Sequence, residues 1–173
     1  MKKKQKKVLV LLGSPRKKGN TALLAQQVAE GARSCGASVE TVFLHELEIK
    51  TCTSCYACQV PGSTGCAIDD GMQKLFPLML EADAWVLASP VYWFTMSAQL
   101  KLWMDRCFAL PAYAKDPFKG KKIAVAMAYG GEDPFDSGCV NALRTFQDAY
   151  GYAGAKIEGF VYGSAMKAGE IRK

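Results

Sequence analysis

The chain has 173 residues, half of them hydrophobic, which suits one domain with one sizeable core. The formal net charge is +6, but the opening Met1-Lys2-Lys3-Lys4-Gln5-Lys6-Lys7 carries five of those charges, and the nearly neutral body behind it excludes a nucleic-acid-binding surface. No apolar run approaches the ~20 residues of a membrane span, and the run behind the lysines stops short of the ~7–15 residues of a signal-peptide core, so no membrane partner and a cytoplasmic location are expected.

Residues 1–7 read as a solvated basic tail, and Val8 to Leu12, apolar throughout, as a strand buried on both faces. Gly13-Ser14-Pro15-Arg16-Lys17-Lys18-Gly19-Asn20-Thr21 follows, then a helical pattern to about Cys35. A strand, a polar loop and a helix N-terminus can make an anion site from free backbone N–H groups and the helix dipole. Ser14, Asn20 and Thr21 can add hydrogen bonds, and Arg16 can grip a phosphate through two of its N–H groups. The loop lacks the lysine of an ATP-type P-loop, and Pro15 stands where a dinucleotide fingerprint has its second glycine. Holding one phosphate without cutting it suits a mononucleotide cofactor. The alternative is an ordinary turn capped by Ser14 or Thr21.

A second strand is predicted at about Ser38 to Leu44, and a cysteine-rich loop at about Lys50 to Ile68. Helix two spans about Asp70 to Ala82, with Asp70 as N-cap and Gln73 completing a capping box. Strand three is Ala84 to Ser89, and Pro90 to Met96 is a loop. Helix three covers about Ser97 to Leu110, strand four Ile123 to Ala128, helix four about Ser137 to Tyr152, and strand five about Lys156 to Tyr162. The alternation of strand and helix predicts an α/β fold. The expected architecture is a flavodoxin-like, doubly wound, five-stranded parallel sheet of order 2-1-3-4-5, as a single domain over residues 8–163 with a tail at 164–173.

In such sheets ligands bind beyond the carboxyl ends of the strands, which groups three loops. The loop after strand three carries Tyr92, Trp93 and Phe94, which can stack on a flat heteroaromatic ring. The alternative is that Trp93 and Phe94 cap the core or form a dimer contact. In the loop after strand four, Gly130 and Gly131 permit close backbone approach. Together these features fit flavin mononucleotide, FMN.

Gly13-Ser14-Pro15-Arg16 with Gly19-Asn20-Thr21, then Ser89-Pro90-Val91-Tyr92, Leu100-Lys101 and Asp105-Arg106, resemble the flavodoxin-fold NAD(P)H-dependent FMN reductases over nearly the whole chain. The resemblance implies FMN phosphate at Ser14, Arg16, Gly19, Asn20 and Thr21. It implies the isoalloxazine ring near Pro90, Val91, Tyr92, Trp93 and Phe94, with Gly130 and Gly131 on another side. It also implies a homodimer or dimer of dimers that takes hydride from NAD(P)H and passes electrons to a small-molecule or protein acceptor. No side chain is assigned a catalytic role, since the cofactor carries the chemistry. Lys101, Asp105 and Arg106 are expected on a helix face, pairing at i,i+4, and His45 at the surface or in packing.

Cys52-x-x-Cys55-x-x-Cys58 followed by Cys66 gathers four of the seven cysteines into fifteen residues. Four thiolates suit a [4Fe–4S] cluster or tetrahedral zinc, and the spacing equally allows no metal. The segment resembles the iron–sulfur flavoprotein subgroup, whose cysteine run precedes an Asp-Asp-Met-like helix start; here that start is Asp69-Asp70-Gly71-Met72. This resemblance implies the alternative function, single-electron relay between protein carriers. Cys35, Cys107 and Cys139 read as small packing residues.

Overall fold

The structure, a computed structural model, describes residues 4–172. Its strands are β1 (Lys7–Leu12), β2 (Ser38–Phe43), β3 (Ala84–Tyr92), β4 (Thr95–Met96), β5 (Lys122–Tyr129) and β6 (Lys156–Ser164), and its helices α1 (Asn20–Ser34), α2 (Met72–Glu81), α3 (Ala98–Arg106) and α4 (Cys139–Tyr152). The five long strands run parallel in the order β2-β1-β3-β5-β6. This is the predicted path. The two-residue β4, antiparallel to the end of β3, is an addition.

The apolar run of β1 is explained by burial on both faces. Leu9 and Leu11 face a core with Leu75, Phe76 and Met79 of α2, Trp103 of α3, and Phe146 and Tyr150 of α4. Val10 and Leu12 face a smaller cluster with Ala25 and Ala29 of α1. The small alanines let α1 lie close to the sheet. Each fully buried Leu of this kind contributes about 1.5–3 kcal/mol over an exposed one. Trp85 anchors the larger core, with its ring edge-on to Trp103, Phe118 and Tyr150.

Both predicted tails are tied to the body. Lys6 pairs with Asp83 and Lys7 with Glu81, each at 2.7 Å, and Lys7 belongs to β1. Met1, Lys2 and Lys3 of that predicted tail lie outside the described residues. At the other end β6 runs to Ser164, and a 3-10 turn follows at Glu170–Arg172. Helix three ends at Arg106 and continues as a 3-10 segment, Cys107–Ala112, in which Pro111 supplies no backbone N–H. Cys107 and Cys139 are buried packing residues as expected, whereas Cys35 is exposed just past α1.

Candidate functional site

The loop after β1 is built on a close approach. The Gly13 amide donates to Ala88 O at 2.8 Å. A Cβ on Gly13 would fall 2.7 Å from Ser97 Oγ and 2.9 Å from Leu100 Cβ, so the position requires glycine. Ser97 Oγ donates to Gly13 O at 2.8 Å and binds this loop to the start of α3. Ser14 is buried, and its hydroxyl accepts the Arg16 amide at 3.2 Å, a local turn that throws Pro15 to Lys18 outward. Gly19 is the N-cap of α1 with extended backbone, and no side chain caps the helix. Ser14 thus caps the turn, as the alternative reading has it, but no side chain caps the helix, and the first-turn N–H groups stay available for an anion.

These residues open into one cavity of about 170 Å³ at the carboxyl end of the sheet. Ser14, Arg16, Gly19, Asn20 and Thr21 line one side, and Pro90, Val91 and Tyr92 a second. Ala128, Tyr129 and Gly130 make a third, and Ala165, Met166 and Ala168 a fourth. The structure thus brings together nine of the expected residues from three loops. Trp93, Phe94 and Gly131 are not among the lining. Ala128, the expected end of a strand, and Tyr129, the first residue of the loop after it, join Gly130 in the lining; for residues 165–168 the sequence carries no local signal.

The segment Pro90 to Met96, predicted as a loop, is mostly a tight hairpin. Val91 and Tyr92 pair with Met96 and Thr95, leaving Trp93 and Phe94 as the two turn residues. Both have positive φ, 48° and 67°, which bulky residues rarely adopt. Trp93 is 92% exposed, and Tyr92 and Phe94 also project into solvent. They do not cap the core. Asn141 Nδ2 donates to Phe94 O at 3.0 Å, and Gly138 lies so close that a Cβ there would be 2.5 Å from Phe94 Cα. A strained turn held by its neighbours is a feature of functional loops.

Cys52, Cys55, Cys58 and Cys66 line a single small cavity together with Arg106. All seven cysteines are free thiols. Ser54 and Tyr56 have left-handed backbone, φ 52° and 57°, and turn the chain tightly between the cysteines. The Cys55 thiol is held below its usual range by the Ala57 amide and the Thr53 hydroxyl, with the Arg106 charge adding to them. The donor set suits a cluster chemically. As placed, no group of three or more His, Cys, Asp or Glu side chains among the described residues is gathered tightly enough to hold a metal ion.

Arg106 corrects the expectation of a helix-face residue. Lys101 and Asp105 do pair at i,i+4, at 2.6 Å. Arg106 instead is 1% exposed and forks onto Asp70, at 2.5 and 3.2 Å. It also donates to Lys50 O at 2.9 Å and to Cys66 Sγ at 3.2 Å. One guanidinium therefore joins both ends of the cysteine loop. Burial alone would push the Asp70 pKa up, but bonds from Arg106 and from the Lys50 and Met72 amides outweigh it and hold the carboxyl below its usual range. Asp70 thus partly fulfils its capping role by accepting Met72 N, with Gly71 as the N-cap. Gln73 does not complete a capping box, because its amide donates to Cys66 O and Ile68 O.

Residues 6–155 match the family model for NADPH-dependent FMN reductase. An iron–sulfur flavoprotein of Archaeoglobus fulgidus is 36% identical over 125 residues, covering 72% of this chain and 55% of the relative. One from Methanocaldococcus jannaschii is 31% identical over 144 residues, covering 83% and 70%. Against the first of these relatives the chain spans little more than half the length. The solved NAD(P)H:quinone oxidoreductase of Methanothermobacter marburgensis superposes with a TM-score of 0.71 at 19% identity, over 95% of this chain and 86% of the other, and supports the fold. No helix among the described residues is long and apolar enough to cross a membrane. The chain belongs to the NADPH-dependent FMN reductase family.

Proposed function

We propose that the protein is an FMN-dependent oxidoreductase that takes hydride from NAD(P)H and passes electrons to a small-molecule or protein acceptor. The observation that carries this reading is the single cavity in which the uncapped N-terminus of α1, Arg16 and the buried Ser14 and Thr21 meet the strand-end loops at Tyr92 and Gly130. Such a cavity offers charge and hydrogen bonds to a phosphate at one end and an aromatic hairpin to a flat ring at the other. Bound FMN would supply the hydride-accepting ring. Ser14, Arg16 and Thr21 would hold its phosphate, while Pro90, Val91 and Tyr92 would orient the ring. Trp93 and Phe94, exposed beside the cavity, shield it from water or meet the second protomer of a dimer. The site demands no side-chain acid or base, because the cofactor carries the redox chemistry.

The test is the affinity of the wild type and Arg16→Ala for FMN and for riboflavin. Arg16→Ala should weaken FMN binding by about 1.5–3 kcal/mol, the worth of a charge-assisted contact, and leave riboflavin unchanged. Equal FMN affinity in the two proteins would contradict the phosphate assignment.

A second reading, an iron–sulfur flavoprotein relaying single electrons, is favoured by the four cysteines around one cavity. The names of the archaeal relatives agree with it. Cys52, Cys55, Cys58 and Cys66 would then ligate a [4Fe–4S] cluster after closing in from their present positions. Iron and acid-labile sulfide after anaerobic reconstitution decide this: full loading in the wild type and little in Cys55→Ser supports it, and near-zero iron in the wild type removes it.

A further inference from the structure

We propose that residues 165–169 form a wall that makes the phosphate cavity selective for a mononucleotide over a dinucleotide, with Asn20 as the residue that positions the wall. This rests on the FMN reading and adds to it the rejection of FAD.

Asn20 spends its side chain on this segment. Its Nδ2 donates to Lys167 O at 2.9 Å and to Ala165 O at 3.4 Å, and its Oδ1 accepts the Gly169 amide at 2.9 Å. The segment is also held from two other directions. Ala165 N donates to Tyr129 O at 2.8 Å, and one oxygen of Glu170 accepts the amides of Met166 and Lys167 at 2.8 and 2.9 Å. The Met166 sulfur takes the space a side chain at Gly130 would fill, since a Cβ there would fall 2.4 Å from it. Ala165, Met166 and Ala168 consequently face the same cavity as Ser14, Arg16 and Thr21.

A terminal phosphate ends in such a cavity without displacing anything. The phosphate of a dinucleotide must lead out again to a second phosphate and an adenosine, past a face already occupied by residues 165–168. Admitting FAD therefore means undoing the Asn20 bonds, so discrimination arises from rejection of the larger ligand and not from extra contacts to the smaller one.

The experiment is titration of FMN, FAD and riboflavin into the full-length wild type, Asn20→Ala, Glu170→Ala and Glu170→Gln, followed by flavin fluorescence. Glu170 does not line the cavity, so its variants loosen the wall without removing a phosphate ligand. The wild type should prefer FMN to FAD by on the order of 100-fold, and Asn20→Ala and Glu170→Ala should cut that ratio to roughly 10 or below. Glu170→Gln, which keeps an acceptor oxygen, should restore much of it, with riboflavin affinity constant throughout. A ratio unchanged in Glu170→Ala, with only FMN affinity altered in Asn20→Ala, would make Asn20 a plain phosphate ligand and overturn the inference. Equal FMN and FAD affinity in the wild type would overturn it too, while leaving the FMN reading intact. A wild type that binds no flavin would overturn the FMN reading itself.

Discussion

Arg106 and Asp70 show how much one buried ion pair can organise. Their side chains are each 1% exposed, and between them they fix Lys50, Ile68, Cys66 and the start of α2. Removing one partner of such a pair leaves an uncompensated buried charge, so Asp70→Asn should cost about 3–5 kcal/mol of stability. Thermal melts of variant and wild type check this. The same pair sets an acid limit. Because the folded Asp70 pKa lies below its unfolded value of 3.8, its contribution is fully present above that value and is lost as pH falls through the lower folded one. Thiol labelling of Cys58 and Cys66, both half-buried, should accelerate in Asp70→Asn near neutral pH while FMN affinity is retained. Unchanged labelling would argue against a clasp. The sequence showed the Lys101–Asp105 pair because its partners are four residues apart. It hid Arg106 because Asp70 is 36 residues away, and only the fold brings them together. Asn20 is hidden for the same reason, its partners lying 145 to 149 residues on.

At the scale of elements, the hairpin after β3 shows where local propensity gave way to tertiary structure. Nothing in Tyr92-Trp93-Phe94-Thr95 has the glycine or asparagine signature of a two-residue turn, so the sequence reads as a loop. The turn forms because α4 buttresses it, through Asn141 on Phe94 O and the bare Cα of Gly138 against Phe94. Gly138→Ala should therefore be severe for a one-carbon change. It adds a Cβ 2.5 Å from backbone at φ 76° and should cost about 1–3 kcal/mol. It should also weaken FMN binding by displacing Tyr92. Chemical denaturation and FMN titration of the variant measure the two effects, and a Gly138→Ala protein as stable as the wild type would contradict the buttress. By contrast, β1 was legible almost in full, because a run apolar at every position needs two buried faces.

For the whole molecule, the alternation of strand and helix was enough to give the parallel sheet and its order, since right-handed crossovers leave few alternatives. That order also placed the three site loops at one edge before any side chain was positioned. The fourth wall was not readable, because residues 165–169 have no periodicity and act only through contacts made by the finished fold. The cysteine spacing leaves a cluster, zinc or no metal open, because the same run of thiols suits all three. The central claim, that this cavity binds FMN for reduction by a nicotinamide, is tested most directly by anaerobic titration of the FMN-loaded protein with NADH and NADPH. One FMN per chain should lose its visible absorption band on addition of one of the two nucleotides, and the band should return when an electron acceptor such as a quinone is added. A protein that retains no flavin, or a bound flavin that neither nucleotide bleaches, would contradict the account.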